Sequence, residues 1–487
     1  MAPAFIEGGP GVQTKVVTRI AVLMAALMSG TSCSTLGSVK DTFFGGSTPA
    51  QQERLEGFIG VVLADEPRAA LAGREILALG GSAADAAVAV AFTLAVTLPS
   101  RSGLGSGGAC LAYDPRRNGP GQGSPEAILF TPPVPPSVPA GADRPATVPM
   151  LARGMFALHA RYGRQTFESL LAGPEQMARF GVPISRALVR DLAMVAGPLA
   201  ADPNARAVFA PGGNPLGEGG TLLQPDLGAT LSQLRTAGVG DLYQGGLARK
   251  LETASRLAGG PLSIDAMRAA LPRTGAALVV RAGRDSVAFL PPPADGGLGA
   301  AAAFAVLQER PDDAAGAQAR ATAAVLQWRA SGGDPRAILA SSGSSGALPP
   351  MAASAGFSVL DKDGNAVTCV TTMNNLFGTG RIAPGTGILL AAAPTGAGLP
   401  LLPAAIAWNE NLRGFRAAVS GSGQEGAALA VATALNNTLR SSTPMAAAVP
   451  EPGRANVIAC SRYLPDRDSS CTWAVDPRGF GLAASSN

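Results

Sequence analysis

The stretch Ser354-Ala-Gly-Phe-Ser-Val-Leu-Asp-Lys-Asp-Gly-Asn-Ala-Val-Thr-Cys-Val-Thr-Thr372 alternates, turns and alternates again. Gly356 to Asp361 has the period-two pattern of a half-buried strand. Asp363-Gly364-Asn365 carries the residues of a two-residue-type hairpin turn, and Ala366 to Thr372 returns as the partner strand. Upstream, Ser341-Ser-Gly-Ser-Ser-Gly-Ala-Leu-Pro-Pro350 has almost nothing to bury and reads as an exposed segment open to cutting. Ser354 is therefore expected just before a strand and just after a cleavable linker.

Working outward, Arg68-Ala-Ala-Leu-Ala-Gly-Arg-Glu-Ile-Leu-Ala-Leu79 spaces its apolar residues as a helix, which Gly80-Gly81 ends. Ser82 can cap a second helix, Ala83 to Thr97, made almost entirely of Ala, Val, Leu and Phe. Such a helix has no polar face and must lie buried between layers. Its one carboxylate, Asp85, falls in the first turn, where the helix dipole favours it. Gly103-Leu-Gly-Ser-Gly-Gly108 follows, before a strand over Ala109 to Tyr113. A dinucleotide loop needs a strand before its glycines and a helix after them, and here that order is reversed. These glycines instead predict a backbone passing close to another segment. Helices dominate from Met150 to Ala193 and through the middle of the chain, and Pro291 to Gly297 forms a rigid turn before a small-residue helix over Leu298 to Gln308.

The 487 residues are 47% hydrophobic and 15% charged, enough for a large core, and we read one domain after an N-terminal leader. The formal charge of +4 has no basic block, and aromatic residues are few, which argues against nucleic-acid binding. Lys15 and Arg19, the apolar run Ile20 to Met28 and the small residues ending at Cys33 have the order of a secretory signal, and Gly-Thr-Ser before Cys33 resembles a bacterial lipoprotein cleavage site. Residues 1–33 are thus expected to direct export to a periplasm, or to a membrane through a lipid on Cys33, with 34–56 a polar spacer. Of the remaining cysteines, Cys460 and Cys471 bracket a polar loop they can staple, whereas Cys110 and Cys369 sit in apolar runs and read as buried thiols. No Cys/His cluster suits a metal, and no cofactor is implied.

In order, Ala72 to Ala87, Ser102 to Gly108, Pro291 to Gly297 and Phe357 to Val367 resemble the γ-glutamyltranspeptidases, over about Gly60 to Ser422. The resemblance implies an α/β, four-layer αββα sandwich of two stacked, mostly antiparallel sheets, of the N-terminal nucleophile hydrolase type. It also implies a precursor cut into a large part, 57–353, and a small part, 354–487, acting on small γ-glutamyl amides. Ser354 then takes the place of the nucleophile, Thr372 that of the threonine beside it, and Asn374 that of the asparagine holding the substrate's amino-acid end. A hydroxyl needs a base, and His159, the only histidine, reads as a solvated helix residue. An amine freed at Ser354 would serve instead, since α-amines titrate near ~8.

Several family positions differ. Thr131 stands where the resemblance places the arginine for the substrate carboxylate, Ala391 to Gly396 replaces an amide- and acid-rich run, Leu399-Pro400 replaces a serine pair, and Gln424-Glu425 replaces the glycines of the oxyanion hole. Arg101 is the candidate to replace the missing guanidinium, against the alternative of a surface or intersubunit ion pair. Two functions follow: an amide hydrolase or acyltransferase, or an inactive relative kept as an exported scaffold or binding protein.

Overall fold

The computed structural model describes residues 57–117, 123–135, 138, 140–341, 346–348, 353–394, 400–445, 449–465 and 468–485. The leader, the spacer, Cys33, most of the 341–350 linker and residues 395–399 lie outside them. No helix among the described residues is long and apolar enough to cross a membrane.

The hairpin lies near the middle of a seven-stranded sheet. Its strands, Ala353–Asp361 and Ala366–Asn374, are antiparallel with Leu360 opposite Ala366 and Ser354 opposite Thr372. Two details depart from the expectation. The first strand begins at Ala353, so Ser354 lies inside the ladder rather than before it. The turn is also longer than a two-residue hairpin loop, because the Asp361 carboxylate accepts hydrogen bonds from the backbone N–H groups of Asp363 and Asn365 and from Asn365 Nδ2. A side chain that satisfies the turn's donors lets the chain take a wider path.

Around this pair the sheet runs Leu482–Ser485, Gly60–Ala64, Ala353–Asp361, Ala366–Asn374, Gly107–Tyr113, Glu126–Phe130, Arg273–Ala276. The second sheet runs Cys471–Ala474, Arg454–Leu464, Gly414–Ser422, Ala404–Asn409, Asp285–Phe289, Leu278–Ala282. Every pairing in both is antiparallel.

Alternation along the strands sorts side chains into three cores. Val61, Leu63, Leu111 and Tyr113 of the first sheet meet Ile406, Trp408, Phe415 and Ile458 of the second. On the outer face of the first sheet, Val62, Phe357 and Val359 pack with the helices Pro67–Ala78, Ala83–Thr97 and Leu151–Tyr162. On the outer face of the second, Val287, Phe289, Ala407 and Val419 pack with Gly296–Glu309, Ala314–Ser331 and Ala427–Ser441. The layers are helix, sheet, sheet, helix.

All fifteen residues of Ala83–Thr97 are buried, and its start is a capping box in which Ser82 and Asp85 satisfy each other's backbone N–H. The glycine stretch behaves as its composition predicts: a Cβ on Gly105 would lie 2.3 Å from Leu389 O, and one on Gly108 2.5 Å from Val370 O. Two side-chain expectations need correcting. Cys110 and Cys369 are not thiols but a disulfide, because the hairpin pairs with Gly107–Tyr113 in a register that sets them directly opposite. His159 is not solvated: its Nε2 lies 2.7 Å from Gln165 O and 3.5 Å from Asp85, with the ring edge-on to Phe167. Cys460 and Cys471 form the expected bridge.

Candidate active site

Ser354 shares its strand face with Gly356, Ser358 and Leu360, the face turned to the second sheet, where Leu360 enters the inter-sheet core. Small residues are required here because the sheets approach closely: a Cβ on Gly356 would be 3.1 Å from Ser420 Cβ. Asp65 ties the sheets together beside this point, accepting from Gly356 N at 2.9 Å and from Asn456 Nδ2 at 2.7 Å. Ser354 is 7% exposed, and its Oγ has no hydrogen-bond partner among the described residues. Ser106, Ser420 and Thr438 have buried hydroxyls in the same state, so what distinguishes Ser354 is its place at the strand end beside Thr372.

Across the ladder, Thr372 Oγ1 donates to Ala353 O, the carbonyl of the peptide bond that precedes Ser354, and accepts from Asn374 N at 2.9 Å. A bulge between Thr372 and Asn374 makes this possible by carrying Asn374 into the left-handed region at φ 65. Asn374 Nδ2 donates to Ala392 O, and its Oδ1 has no partner among the described residues. The three residues singled out from the sequence as nucleophile, neighbour and asparagine are thus brought to one end of two paired strands.

Ser354 opens into a cavity of about 140 Å³, lined also by Arg101, Asp191, Ser422, Gly423, Gln424 and Glu451, with Arg190 and Arg454 at its wall. Arg101 reaches the cavity, but as half of an ion pair. Its Nε and Nη2 donate to Asp191 at 2.8 and 2.6 Å, and Ser100 Oγ donates to the same carboxylate at 2.6 Å. Burial opposes the guanidinium's charge, yet the Asp191 carboxylate holds its pKa above the ordinary value. Arg101 lines the cavity, and its ion pair is neither at the surface nor between the two parts but a buried one with Asp191, inside 57–353. Arg454 lies 3.2 Å from Glu451, and Arg190 makes no ion pair among the described residues.

No local sequence pattern points to Asp191, Arg190, Glu451 or Arg454. They come from a helix, Arg186–Ala200, and from the chain entering Arg454–Leu464, far from the hairpin in sequence, and only the tertiary fold joins them. Gln424 belongs to the pair expected at the oxyanion hole, and Gly423 immediately precedes it. They lead through the short turn Gln424–Gly426 into the helix Ala427–Ser441. Thr131 follows the strand Glu126–Phe130 and does not line the Ser354 cavity. A larger cavity of about 500 Å³ lies beyond it, between Pro133, Val134, Val148, Leu262 and Ala266, with Arg256 its one charged group. Its hydroxyls are engaged, Thr147 Oγ1 with Pro133 O and Ser263 Oγ with Ala266 N. The smaller cavity is the one that Ser354 lines.

Comparison with known proteins agrees with the architecture. A crystallised cephalosporin acylase from Bacillus halodurans superposes with a TM-score of 0.70 over 91% of this chain and 99% of its own, at 18% identity, a likeness of fold. The glutathione hydrolase proenzyme of Escherichia coli (strain K12) is 28% identical over 381 residues, 68% of this chain and 65% of that protein. Glutathione hydrolase 7 of Bos taurus is 31% identical over 255 residues, 50% of this chain and 36% of that protein. The chain thus spans only about one to two thirds of the length of these curated relatives. The family model for gamma-glutamyltranspeptidase matches residues 69–331 and 322–395, covering the buried helix pair, the glycine stretch and the hairpin with Ser354, Thr372 and Asn374, and on that match the chain belongs to the γ-glutamyltranspeptidase family.

Proposed function

We propose that the chain is a self-cleaving amide hydrolase or acyltransferase of γ-glutamyl or related amides, with Ser354 as nucleophile. The observation that carries this reading is the Thr372 hydroxyl on Ala353 O beside an unengaged Ser354 Oγ. In the intact chain, Ser354 Oγ attacks the Ala353 carbonyl carbon while Thr372 stabilises the charge that develops on its oxygen. The C–N bond breaks, the Ser354 nitrogen takes up a proton, and an ester joins Ala353 to Oγ. Water then hydrolyses the ester, leaving a carboxylate on Ala353 and a free amine on Ser354. That amine accepts the Oγ proton when Ser354 next attacks a substrate amide and returns it to the leaving amine. The acyl-serine passes its acyl group to water or to an acceptor amine.

Backbone N–H groups of Gly423 and Gln424, before a fifteen-residue helix whose dipole favours negative charge, are the proposed oxyanion donors. Main-chain donors do not depend on side-chain identity, so Gln424-Glu425 in place of glycines need not remove them. The substrate contacts are a different matter. Thr131 lacks the charge of a guanidinium and Arg101 is committed to Asp191, so weak turnover of glutathione is expected. Export through residues 1–33 is part of the same proposal.

Purified protein should yield a fragment whose N-terminal residue is Ser354, and Ser354→Ala should stay whole. Cleaved wild type should release the chromophore of a γ-glutamyl anilide slowly, with a rate that rises with pH through ~8 as the amine loses its proton. A wild-type chain that remains intact would remove the base and overturn the activity, leaving the scaffold reading.

A further inference from the structure

Cys110 and Cys369 sit directly opposite each other on neighbouring antiparallel strands, joined by an S–S bond and fully buried. The loop this bond closes runs from 110 to 369 and contains the Ala353–Ser354 peptide bond. A cut inside a disulfide-closed loop opens the loop without releasing either side. We propose, building on the cleavage reading above, that the mature protein is a covalent heterodimer whose two parts are held by Cys110–Cys369. The second bridge cannot do this, because Cys460 and Cys471 both lie after the cut.

The tether is placed where cleavage would otherwise loosen the site. Cys369 stands three positions before Thr372 on the same strand, and in the same ladder Gly108 and Gly107 face Thr371 and Thr372. The bond therefore fixes the strand that carries Thr372 and Asn374 against a strand of the other fragment. It also changes the order of reassembly. Two untethered fragments meet in a bimolecular, concentration-dependent step, whereas linked ones refold as a single molecule at a fixed effective concentration. Forming the bond removes two protons and two electrons from the thiols. A thiol–disulfide exchange oxidant takes them up while the strands are still open, before burial closes access. The link consequently precedes the cut and is also present in Ser354→Ala.

The test is electrophoresis of exported, purified wild type, denatured with its free thiols alkylated, with and without dithiothreitol. The proposal expects one band without reductant and two with it, the smaller starting at Ser354. Two bands in both lanes would overturn the tether and leave the cleavage intact. One band in both lanes would overturn the cleavage, and the heterodimer with it. Cys110→Ala/Cys369→Ala should separate into two bands without reductant, whereas Cys460→Ala/Cys471→Ala should not. Linked wild type diluted from denaturant should also refold with a yield unchanged over a hundredfold range of concentration, a property lost in the Cys110→Ala/Cys369→Ala protein.

Discussion

Thr372 is placed to act before any substrate arrives. Its hydroxyl accepts one hydrogen bond, from Asn374 N, which orients its own proton toward Ala353 O. Removing the hydroxyl while keeping the shape separates this role from packing. Thr372→Val should slow appearance of the Ser354 fragment by roughly 100- to 1,000-fold, the usual cost of one oxyanion donor. Thr372→Ser should cleave nearly as wild type. A time course on freshly folded precursor reads both, and equal rates for the two variants would remove Thr372 from the chemistry. At this scale the sequence was informative about identity and silent about partners. Ser354, Thr372 and Asn374 could be picked out because they lie on one hairpin. The Asp191 grip on Arg101 could not, since a bidentate pair between residues ninety positions apart leaves no local pattern.

The glycine stretch and the hairpin show how elements transmit position to the site. Gly105 lies against Leu389 O, Leu389 closes the short pairing Ile382–Ala383 with Ile388–Leu389, and Ala392 a few residues on accepts from Asn374 Nδ2. A methyl group at 105 would push on main chain, which cannot rotate away as a side chain can. Gly105→Ala should therefore cost about 1–3 kcal/mol and lower turnover more than its loss of stability explains. Gly275→Ala, in the exposed edge strand Arg273–Ala276 where the added atom meets nothing within 4 Å, should be neutral or stabilising by up to ~1 kcal/mol. Thermal unfolding with a rate assay distinguishes the two, and a Gly105→Ala protein with wild-type stability and turnover would break the proposed linkage. The close approach was legible because only glycine tolerates it, whereas the contact partner at Leu389 was not. The same division explains the cysteines: each strand was readable, but which strand lies beside which is a property of the sheet.

For the whole molecule, the question is whether two sheets with separate outer helices fold as one unit. Trp408 tests this because it stands between them, 1% exposed, with its ring centroid 6.3 Å from that of Tyr113 on the other sheet. Its Nε1 has no hydrogen-bond partner among the described residues, so replacing the indole by another aromatic ring sacrifices packing alone. Trp408→Phe, which removes the five-membered ring from a filled core, should cost about 1–2 kcal/mol. Trp408→Ala should cost about 3–5 kcal/mol by opening a cavity at the inter-sheet core. If that core joins the layers into one cooperative structure, urea unfolding of Trp408→Ala followed by circular dichroism keeps a single transition, shifted to lower denaturant with an unchanged slope. The layering itself was anticipated through the family resemblance and the unbroken apolar helix Ala83–Thr97, but no residue of the sequence declared that Tyr113 and Trp408 would meet. A transition that splits in two, with only the second sheet lost early, would mean that each sheet is stabilised chiefly by its own helices and that the Ser354 cavity, drawn from both, lies at a weak seam.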